Sequence, residues 1–286
     1  MPTALLVEQV ITGTVLGQEL QNPVGLAVAP DGITYLADNG NNRLIRFDST
    51  LNATHEIGGY GFSAGLLNNP TFVTLDNALN LLVIDESNRR IVRYDARLNF
   101  VDEIELRDED DPFKYGHPSG VAVTDYGEVW VVDRDQDRIA LFDNAGKFSR
   151  FIGEFGYAGG QLRSPEKVTT IPDGDFVVAD KGNSRLVFYD SYGSFSREIA
   201  GAIVNDPVAM TFDGNHLWVL EASSARIVSL DISGRRPLVA IPILVGNKKG
   251  LRNPRDIAVF PDGRLIISDS GNNRLVICRV LYDEPD

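Results

Sequence analysis

The segment PVGLAVAPDGITYLADNGNNRLIRFD, residues 23–48, decides the fold because it recurs along the chain. Related segments begin at later prolines and occupy residues 70–95, 118–143, 165–190, 207–231 and 254–279. Six copies therefore account for most of a chain of 286 residues. A repeat at this spacing is typical of propellers and other arrays of one structural unit. The repeat, more than the length of the chain, predicts the architecture.

Each copy has the pattern of an antiparallel meander. In the first copy an apolar run, residues 25–29, ends at the turn Asp31-Gly32, and a second run follows at residues 33–38. A Gly-containing turn between two β-rich runs is a hairpin signal. A third run, residues 43–48, comes after a polar loop, and a fourth, such as HEIGG, comes after a gap. The pattern predicts four strands per repeat.

The strands are often apolar on both faces, as in LNLLVID, residues 79–85, and EVWVVD, residues 128–133. Such sheets should be covered on both sides. Six sheets packed around an axis meet this requirement, so we expect an all-β, six-bladed β-propeller of four-stranded antiparallel blades. We expect one domain over residues 1–286, with blades at approximately 19–65, 66–113, 114–160, 161–202, 203–248 and 249–283 plus 5–18.

Two features of the chain deviate from the repeat. The sixth copy ends after three strands, while the opening segment VEQVITGTVLGQEL resembles the fourth-strand segments of other copies. We therefore expect residues 10–16 to complete blade six and close the ring. The second copy has Ala78-Leu79 where other copies have a Gly-containing turn, so we expect a different turn there.

The composition limits the classes of function. The net charge of −13 repels polyanions, which disfavours nucleic acids and anionic membranes as general partners. Cys278 is the one cysteine, so no intrachain disulfide can form, and we expect an inert buried thiol. No stretch reaches the roughly 18 apolar residues of a membrane span. The start of the chain does not resemble a signal peptide, and since a trimmed secreted or periplasmic chain would look the same, the compartment stays open.

An acid and an arginine recur at fixed positions in all copies. The acid stands 15 residues after the proline, or 14 in the shorter fifth copy, and the arginine follows five residues later. The pairs are Asp38 and Arg43, Asp85 and Arg90, Asp133 and Arg138, Asp180 and Arg185, Glu221 and Arg226, and Asp269 and Arg274. A single active site does not need six such pairs. We therefore expect a structural role, in bridging the loop or linking blades.

The repeat resembles the NHL family. DNGNNRLIRFD, DKGNSRLVFYD and DSGNNRLVICR match the core pattern of that family closely, and the other copies match it more loosely. The resemblance covers nearly the whole chain and implies a six-bladed propeller. It does not imply one function, because related propellers include RNA-binding modules, protein-interaction modules, sensor domains, lyases and hydrolases.

In NHL-like propellers the loops that enter the first strand and those that join the second and third strands surround the mouth of the central channel. The resemblance therefore implies a ligand or partner site at this mouth. The candidate residues are Phe72, Tyr115, His117, Glu166, Lys167, Arg255 and Asp256. The alternative is that Glu166, Lys167, Arg255 and Asp256 pair with one another and only fill the channel.

No metal or cofactor is expected. Lyases related to the family carry a zinc-binding His directly after the repeat proline, and no copy has one here. His55, His117 and His216 occupy different repeat positions and do not form a three-ligand set. The segment DRDQD, residues 133–137, has alternating acids but lacks the Gly and Glu of a calcium loop.

Two charged segments give further candidates. RDEDDPFKYGHP, residues 107–118, is expected to be a solvated loop, with a site for a basic partner or a cation as the alternative. A small basic sector comprises Lys167, Lys248, Lys249, Arg252 and Arg255. RNA binding would need such a sector together with exposed aromatic side chains, and the acidic charge of the chain opposes it.

We interpret the chain as a non-catalytic binding scaffold that presents a loop face and channel mouth to a protein or peptide. A small ligand in the channel is a secondary expectation, and we expect a monomer. The first alternative is a hydrolase or lyase with a metal or acid-base site in the channel. The second is an RNA-binding module.

Overall fold

The proline that opens each repeat begins the inner strand of a blade. The structure is a computed structural model that describes residues 2–106, 116–231, 237–242 and 250–282. The inner strands are Pro23–Val28, Pro70–Leu75, Pro118–Val123, Pro165–Thr170, Pro207–Phe212 and Pro254–Val259. Proline at the first position of a strand removes no hydrogen bond from the middle of the ladder.

The second and third strands carry the acid and the arginine of each repeat. The second strands are Thr34–Asp38, Leu81–Asp85, Val129–Asp133, Phe176–Asp180, His216–Glu221 and Leu265–Asp269. The third strands are Arg43–Phe47, Arg90–Tyr94, Arg138–Phe142, Arg185–Tyr189, Arg226–Asp231 and Arg274–Tyr282. Acid and arginine face each other across these two strands in every blade.

The fourth strands are Ala53–Gly58, Phe100–Glu105, Phe148–Ile152, Phe195–Ile199, Pro237–Pro242 and, for blade six, Pro2–Thr12. Each blade is a four-stranded antiparallel sheet, which confirms the six-bladed propeller. Short 3-10 helices occupy Asn39–Asn41, Pro172–Gly174, Lys181–Asn183, Gly201–Ile203 and Ser270–Asn272.

The hydrophobic core is divided among the spaces between neighbouring blades. Buried residues of blades one and two form one cluster, and equivalent clusters fill each following space around the ring. The last cluster joins blade six to blade one, where Leu275 packs with Leu36 and Leu26. Both faces of each sheet are therefore covered, as the apolar strand patterns predict.

The N-terminal strand closes the ring, as the sequence predicts, but with different bounds. Pro2–Thr12 pairs antiparallel with Arg274–Tyr282. The expected strand over residues 10–16 was placed too late, because the chain turns at Gly13, where φ is +78°. Thr14–Val15 and Gln18–Glu19 then form a separate two-stranded ribbon.

The turn of blade two is the same as in blade one, so the expectation of a different turn was wrong. Leu79 donates its N–H to the carbonyl of Asp76 at 2.9 Å, as Gly32 does to Ala29 at 2.8 Å. Leu79 takes the left-handed backbone conformation of that glycine, with φ of +61°. The blade accepts the strained residue and keeps the hairpin.

Cys278 lies in the core between blades five and six and is a buried free thiol. Burial raises its pKa to about 12, and the charge of Glu8 adds to this effect. Within the described part of the chain, no helix has the length and apolar character needed to cross a membrane.

Candidate functional site

Two faces of the propeller can be distinguished by the strand ends. The inner strands begin and the second strands end on one face, here called the mouth face. The turns between first and second strands, and between third and fourth strands, lie on the opposite face. The mouth face also carries the loops that lead from one blade to the next. Residues near each repeat proline and each repeat acid therefore surround the channel mouth.

Each repeat acid fastens the loop that enters its blade. One carboxylate oxygen accepts a bond from the arginine Nε, at 2.5 to 3.3 Å over the six pairs. The other accepts the backbone N–H of the residue two positions before the proline, as with Gln21 and Asp38 at 2.8 Å. The same bond recurs in the other five blades, from Asn68, Gly116, Arg163, Asn205 and Arg252. The pairs thus lie within blades and hold the mouth-face loops.

The arginines also bind the carbonyl groups of these loops. Arg185 donates to the carbonyls of Tyr157, Ala158 and Gln161 at 2.9, 3.2 and 2.6 Å. Arg90 does the same for the loop before blade two, including the carbonyl of Phe62 at 2.9 Å. A buried guanidinium with several acceptors positions a loop more firmly than a single ion pair. These loops are therefore held in place by the blades below them.

The second residue after the proline alternates in size around the channel. It is small in blades one, three and five and large in blades two, four and six, in the order Gly25, Phe72, Gly120, Lys167, Ala209 and Asp256. A Cβ on Gly25 would lie 2.8 Å from the backbone N of Val73, and one on Gly120 would lie 2.9 Å from the Cα of Lys167. Neighbouring inner strands approach closely at these glycines, which leaves the centre to three large side chains.

Those three side chains form a plug, defined as Phe72, Lys167 and Asp256. Lys167 Nζ donates to Asp256 Oδ1 and lies 4.8 Å from the centroid of the Phe72 ring. The other oxygen of Asp256 accepts the N–H of Leu26 at 2.9 Å. Burial raises the pKa of Asp256, and the charge of Lys167 acts in the opposite direction. The plug is a desolvated ion pair with most of its hydrogen-bonding groups satisfied.

The plug divides the channel into two cavities. The mouth cavity has a volume of about 100 Å³ and is lined by residues of all six blades, among them Glu86, Ser119, Glu166, Arg255 and the plug. The cavity on the opposite face has a volume of about 410 Å³ and is lined mainly by apolar and threonine side chains of the inner strands. Charged side chains concentrate at the mouth.

The charges at the mouth are only partly paired. Glu166 accepts from Lys181 Nζ at 3.0 Å and lies 3.5 Å from Arg134 Nη1. Glu86 accepts a bond from the Asn69 amide at 2.5 Å. Among the described residues, Arg255 has no carboxylate within 4 Å. In the part of the chain that the structure describes, Arg255 is therefore a mouth cation with no acid in direct contact, although its charge acts on Glu86 from a greater distance.

His117 stands at the rim of the mouth. Its Nδ1 contacts a carboxylate oxygen of Asp135, and its Nε2 lies 3.9 Å from Oε1 of Glu86. Burial raises the pKa of Glu86, while the charges of His117, Arg134 and Arg255 lower it by less. A carboxyl of raised pKa beside a histidine resembles an acid-base pair in composition.

The structure places the predicted site residues as follows. Phe72, Glu166, Lys167, Arg255 and Asp256 line the mouth cavity, and His117 lies beside it. Tyr115 and most of the acidic segment 107–118 lie outside the described residues, as do Lys248 and Lys249 of the basic sector. The alternative that the four charged residues pair with one another holds only in part. Lys167 pairs with Asp256, whereas Glu166 and Arg255 do not pair with each other.

Sequence reasoning missed three charged residues of the mouth, namely Glu86, Arg134 and Lys181. Each follows directly after a repeat acid. The signal that could have found them is the variation at this position, which reads Asn39, Glu86, Arg134, Lys181, Ala222 and Ser270 over the six copies. Among the residues that the structure describes, no three His, Cys, Asp or Glu side chains are grouped to hold a metal ion.

Two mouth-face loops present equivalent aromatic side chains. Tyr60 and Phe62 stand ten and eight residues before Pro70, and Phe155 and Tyr157 stand at the same places before Pro165. Each of the four is more than 60% exposed. The loops share a backbone bridge, from Tyr60 to Leu67 and from Phe155 to Leu162, and both leucines are fully buried. The loops are thus anchored while their aromatic rings face solvent.

The NHL repeat is found in this chain at residues 162–189 and 251–278, which belong to blades four and six. Two of the six repeats thus match the NHL-repeat model. The chain is a six-bladed propeller that contains NHL repeats. No curated protein matches this chain at a significant level.

Solved structures share its fold at low sequence identity. Virginiamycin B lyase from Staphylococcus aureus is similar with a TM-score of 0.69 and 14% identity, over 97% of this chain and 100% of that one. A protein of unknown function from Bacteroides thetaiotaomicron gives 0.72 and 13%, over 95% and 76%. Hydrazine synthase from Kuenenia stuttgartiensis gives 0.65 and 15%, over 96% and 99%. At these identities the likeness concerns the fold alone.

Proposed function

We propose that this NHL propeller is a non-catalytic binding scaffold whose mouth face docks a protein or peptide. The observation that carries the proposal is the pair of equivalent loops with exposed Tyr60, Phe62, Phe155 and Tyr157. Aromatic side chains are enriched at the centres of protein interfaces, because they bury a large area at a small entropy cost. A lone exposed aromatic residue needs no explanation, but the same pair of positions used twice does.

The anchoring of these loops supports the proposal. Arg90 and Arg185 bind the carbonyls of the two loops, and the buried Leu67 and Leu162 fix them from below. A loop that is already ordered loses little conformational entropy when a partner binds. The net charge of −13 favours a partner that is neutral or basic.

Affinity capture from extract of the source organism, followed by mass spectrometry, tests the proposal. The test variant replaces Tyr60, Phe62, Phe155 and Tyr157 by Ser. The matched control replaces Tyr126 and Tyr192, which are 85% and 79% exposed on the opposite face. We expect the wild type and the control to retain the same partner and the test variant to lose it. Equal retention by all three proteins would contradict the proposal.

A second candidate is a lyase or hydrolase that uses the channel mouth. It rests on His117, which contacts Asp135 and lies near Glu86, and on the likeness of fold to virginiamycin B lyase. A structure of catalytically inactive virginiamycin B lyase from Staphylococcus aureus contains quinupristin, which gives a direct assay. A decrease in the concentration of quinupristin on incubation with the wild type, but not with His117→Ala, would support an enzyme. An unchanged concentration with the wild type would reject this lyase activity.

RNA binding has weaker support. Lys167 is buried in the plug and paired with Asp256, so it is not available to a phosphate backbone. Arg252 and Arg255 remain on the mouth face, opposed by Glu86 and Glu166. Retention on RNA that decreases as salt increases would favour this function.

A further inference from the structure

Among the residues that the structure describes, one cation and one anion of the channel mouth are in no ion pair with another Lys, Arg, Asp or Glu. Lys167 pairs with Asp256 in the plug, and Lys181 and Arg134 both approach Glu166. After these pairs are formed, Arg255 and Glu86 remain. Both line the mouth cavity, Arg255 from blade six and Glu86 from blade two.

Arg255 is suited to bind a carboxylate. It is partly buried in the wall of the cavity, and in the described part of the chain it makes no hydrogen bond or ion pair. A guanidinium presents a planar set of donors that matches a carboxylate in two-pronged geometry. Leaving such a group without a partner in a narrow cavity is costly unless water or a ligand satisfies it.

Glu86 is suited to bind an ammonium group. Its side chain is 15% exposed, and within the described residues it has no Lys or Arg within 4 Å. One oxygen accepts the Asn69 amide at 2.5 Å, and the other faces His117 at 3.9 Å. Nδ1 of His117 is already engaged by Asp135. A partly buried carboxylate with one neutral donor retains room for a cation.

We propose that the mouth cavity binds a small zwitterion, an ammonium carboxylate of the amino acid class, with its carboxylate on Arg255 and its ammonium group on Glu86. The proposal rests on the use of the mouth as a binding site, as proposed above, but it does not need the aromatic loops. The cavity volume of about 100 Å³ holds only a few water molecules, each about 30 Å³ in the liquid. It therefore suits a ligand of few heavy atoms.

The charges argue against a ligand of one sign. A simple anion near Arg255 would face Glu86 and Glu166, and a simple cation near Glu86 would face Arg255, Arg134 and Lys167. A ligand that carries both charges neutralises both unpaired groups and leaves the net charge of the mouth unchanged. Such complementarity favours the zwitterion over analogues that lack either charge.

Isothermal titration calorimetry on the full chain tests the proposal with glycine, β-alanine and γ-aminobutyrate. These probes carry the same two charges at increasing separation, so the series finds the length that spans Arg255 and Glu86. The controls are the N-acetyl and methyl ester forms of the best probe, which lack one charge each. We expect the zwitterion to bind about tenfold to a hundredfold more tightly than either control, as for loss of one charged hydrogen bond.

Variants locate the site. We expect Arg255→Gln and Glu86→Gln each to weaken the best probe by about tenfold or more, while Arg97→Gln on the opposite face and Glu105→Gln on an outer strand leave binding unchanged. Circular dichroism confirms that each variant is folded. Absence of binding by the whole series, equal binding of the singly charged controls, or binding insensitive to Arg255 and Glu86 would each overturn the proposal. Loss of the partner in the aromatic-loop variant is a separate readout, so the two proposals can fail independently.

Discussion

Lys167 of blade four and Asp256 of blade six occupy the same position of the repeat and form an ion pair across the channel. Both side chains are less than 10% exposed. The small residues Gly25, Gly120 and Ala209 at the same position in the other blades make this contact possible, because they leave space at the axis. The backbone of the inner strand is repeated six times around the axis. Variation of the side chain at one position of this strand therefore produces the ion pair between Lys167 and Asp256.

We predict that the plug is strongly coupled. Lys167→Met leaves the Asp256 carboxylate buried without a cation, and we expect a loss of about 3 to 5 kcal/mol in the free energy of unfolding. Asp256→Asn leaves Lys167 unpaired and should cost a similar amount. The double variant keeps an acceptor for the Leu26 N–H and contains no buried charge, so it should lose less than the sum of the two. Urea unfolding of the four proteins in a double-mutant cycle measures this, and additive losses would contradict the coupling.

We predict that a buried repeat arginine contributes more to the free energy of unfolding than an exposed arginine in an ion pair. Arg185 is 5% exposed and binds Asp180, Glu198 and three loop carbonyls. Arg185→Gln should lower the free energy of unfolding by about 3 to 5 kcal/mol and loosen the loop that carries Tyr157. The matched control is Arg279→Gln, since Arg279 also forms an ion pair, with Glu8, but is 58% exposed. The denaturation midpoints of the two variants are compared with that of the wild type. Equal decreases would show that burial does not determine how much an ion pair stabilises the protein.

The sequence predicted the architecture well because the same pattern of strands and marker residues occurs six times in the chain. The proline, the acid and the arginine mark the start of the inner strand, the end of the second and the start of the third, and these positions survive changes elsewhere. Strand bounds at the N-terminus were less accurate, because no proline, acid or arginine of the repeat marks where a fourth strand begins or ends. Pairing with Arg274–Tyr282, which sets these bounds, is a tertiary contact.

The candidate site was predicted only in part, for a physical reason. Lys167, Asp256, Glu166 and Arg255 were identified as mouth residues because they directly follow the repeat proline. Every copy starts its inner strand at that proline. Which charges pair depends on distances across the ring between blades, as for Lys167 and Asp256, and a linear repeat holds no information on those. Glu86 lies in a loop that the resemblance places at the mouth, but the sequence does not show which side chain of that loop lines the cavity.

We predict that Leu79→Gly stabilises the protein. Leu79 holds a φ of +61° in a turn where other blades have Gly, and its side chain is 44% exposed. A left-handed residue other than Gly costs about 1 to 2 kcal/mol, against about 0.5 to 1 kcal/mol for the extra freedom of Gly in the unfolded chain. The difference is a gain of about 0 to 1.5 kcal/mol. Leu98→Gly is the control, because Leu98 has φ of +66° but is 3% exposed, so loss of its packing should destabilise the protein. Thermal unfolding separates the two, and a destabilising Leu79→Gly would show that the side chain is needed.

We predict that the ring depends on its N-terminal strand. Removal of residues 1–12 exposes the edge of Arg274–Tyr282, whose backbone groups would then be free to pair with another chain. We expect a lower melting temperature and concentration-dependent association, measured by light scattering. A synthetic peptide of residues 1–12 added in trans should suppress the association by restoring the strand. A truncated protein that stays monomeric with an unchanged melting temperature would contradict the role of this strand.

We predict that binding of a zwitterion at the mouth weakens as the pH falls. Burial raises the pKa of Glu86 above the ordinary value of about 4.3, so this carboxyl takes up its proton at a higher pH than an exposed glutamate does. The ammonium group of the ligand needs ionised Glu86, so affinity is complete above the raised pKa and is lost as the pH decreases through it.

Among the described residues, the titratable and charged groups that face Glu86 are His117, Arg134, Arg255 and Asp135. Protonation of His117 would oppose an ammonium ligand in the same direction, so the titration is repeated with His117→Gln. Calorimetry with the best probe, from pH 8 down to the ordinary Glu value of about 4.3, should show the decrease in the wild type and in His117→Gln, and none in Glu86→Gln, where binding is already weak. A decrease that disappears in His117→Gln would assign the pH dependence to the histidine, and affinity that is constant over this range would contradict the role of Glu86.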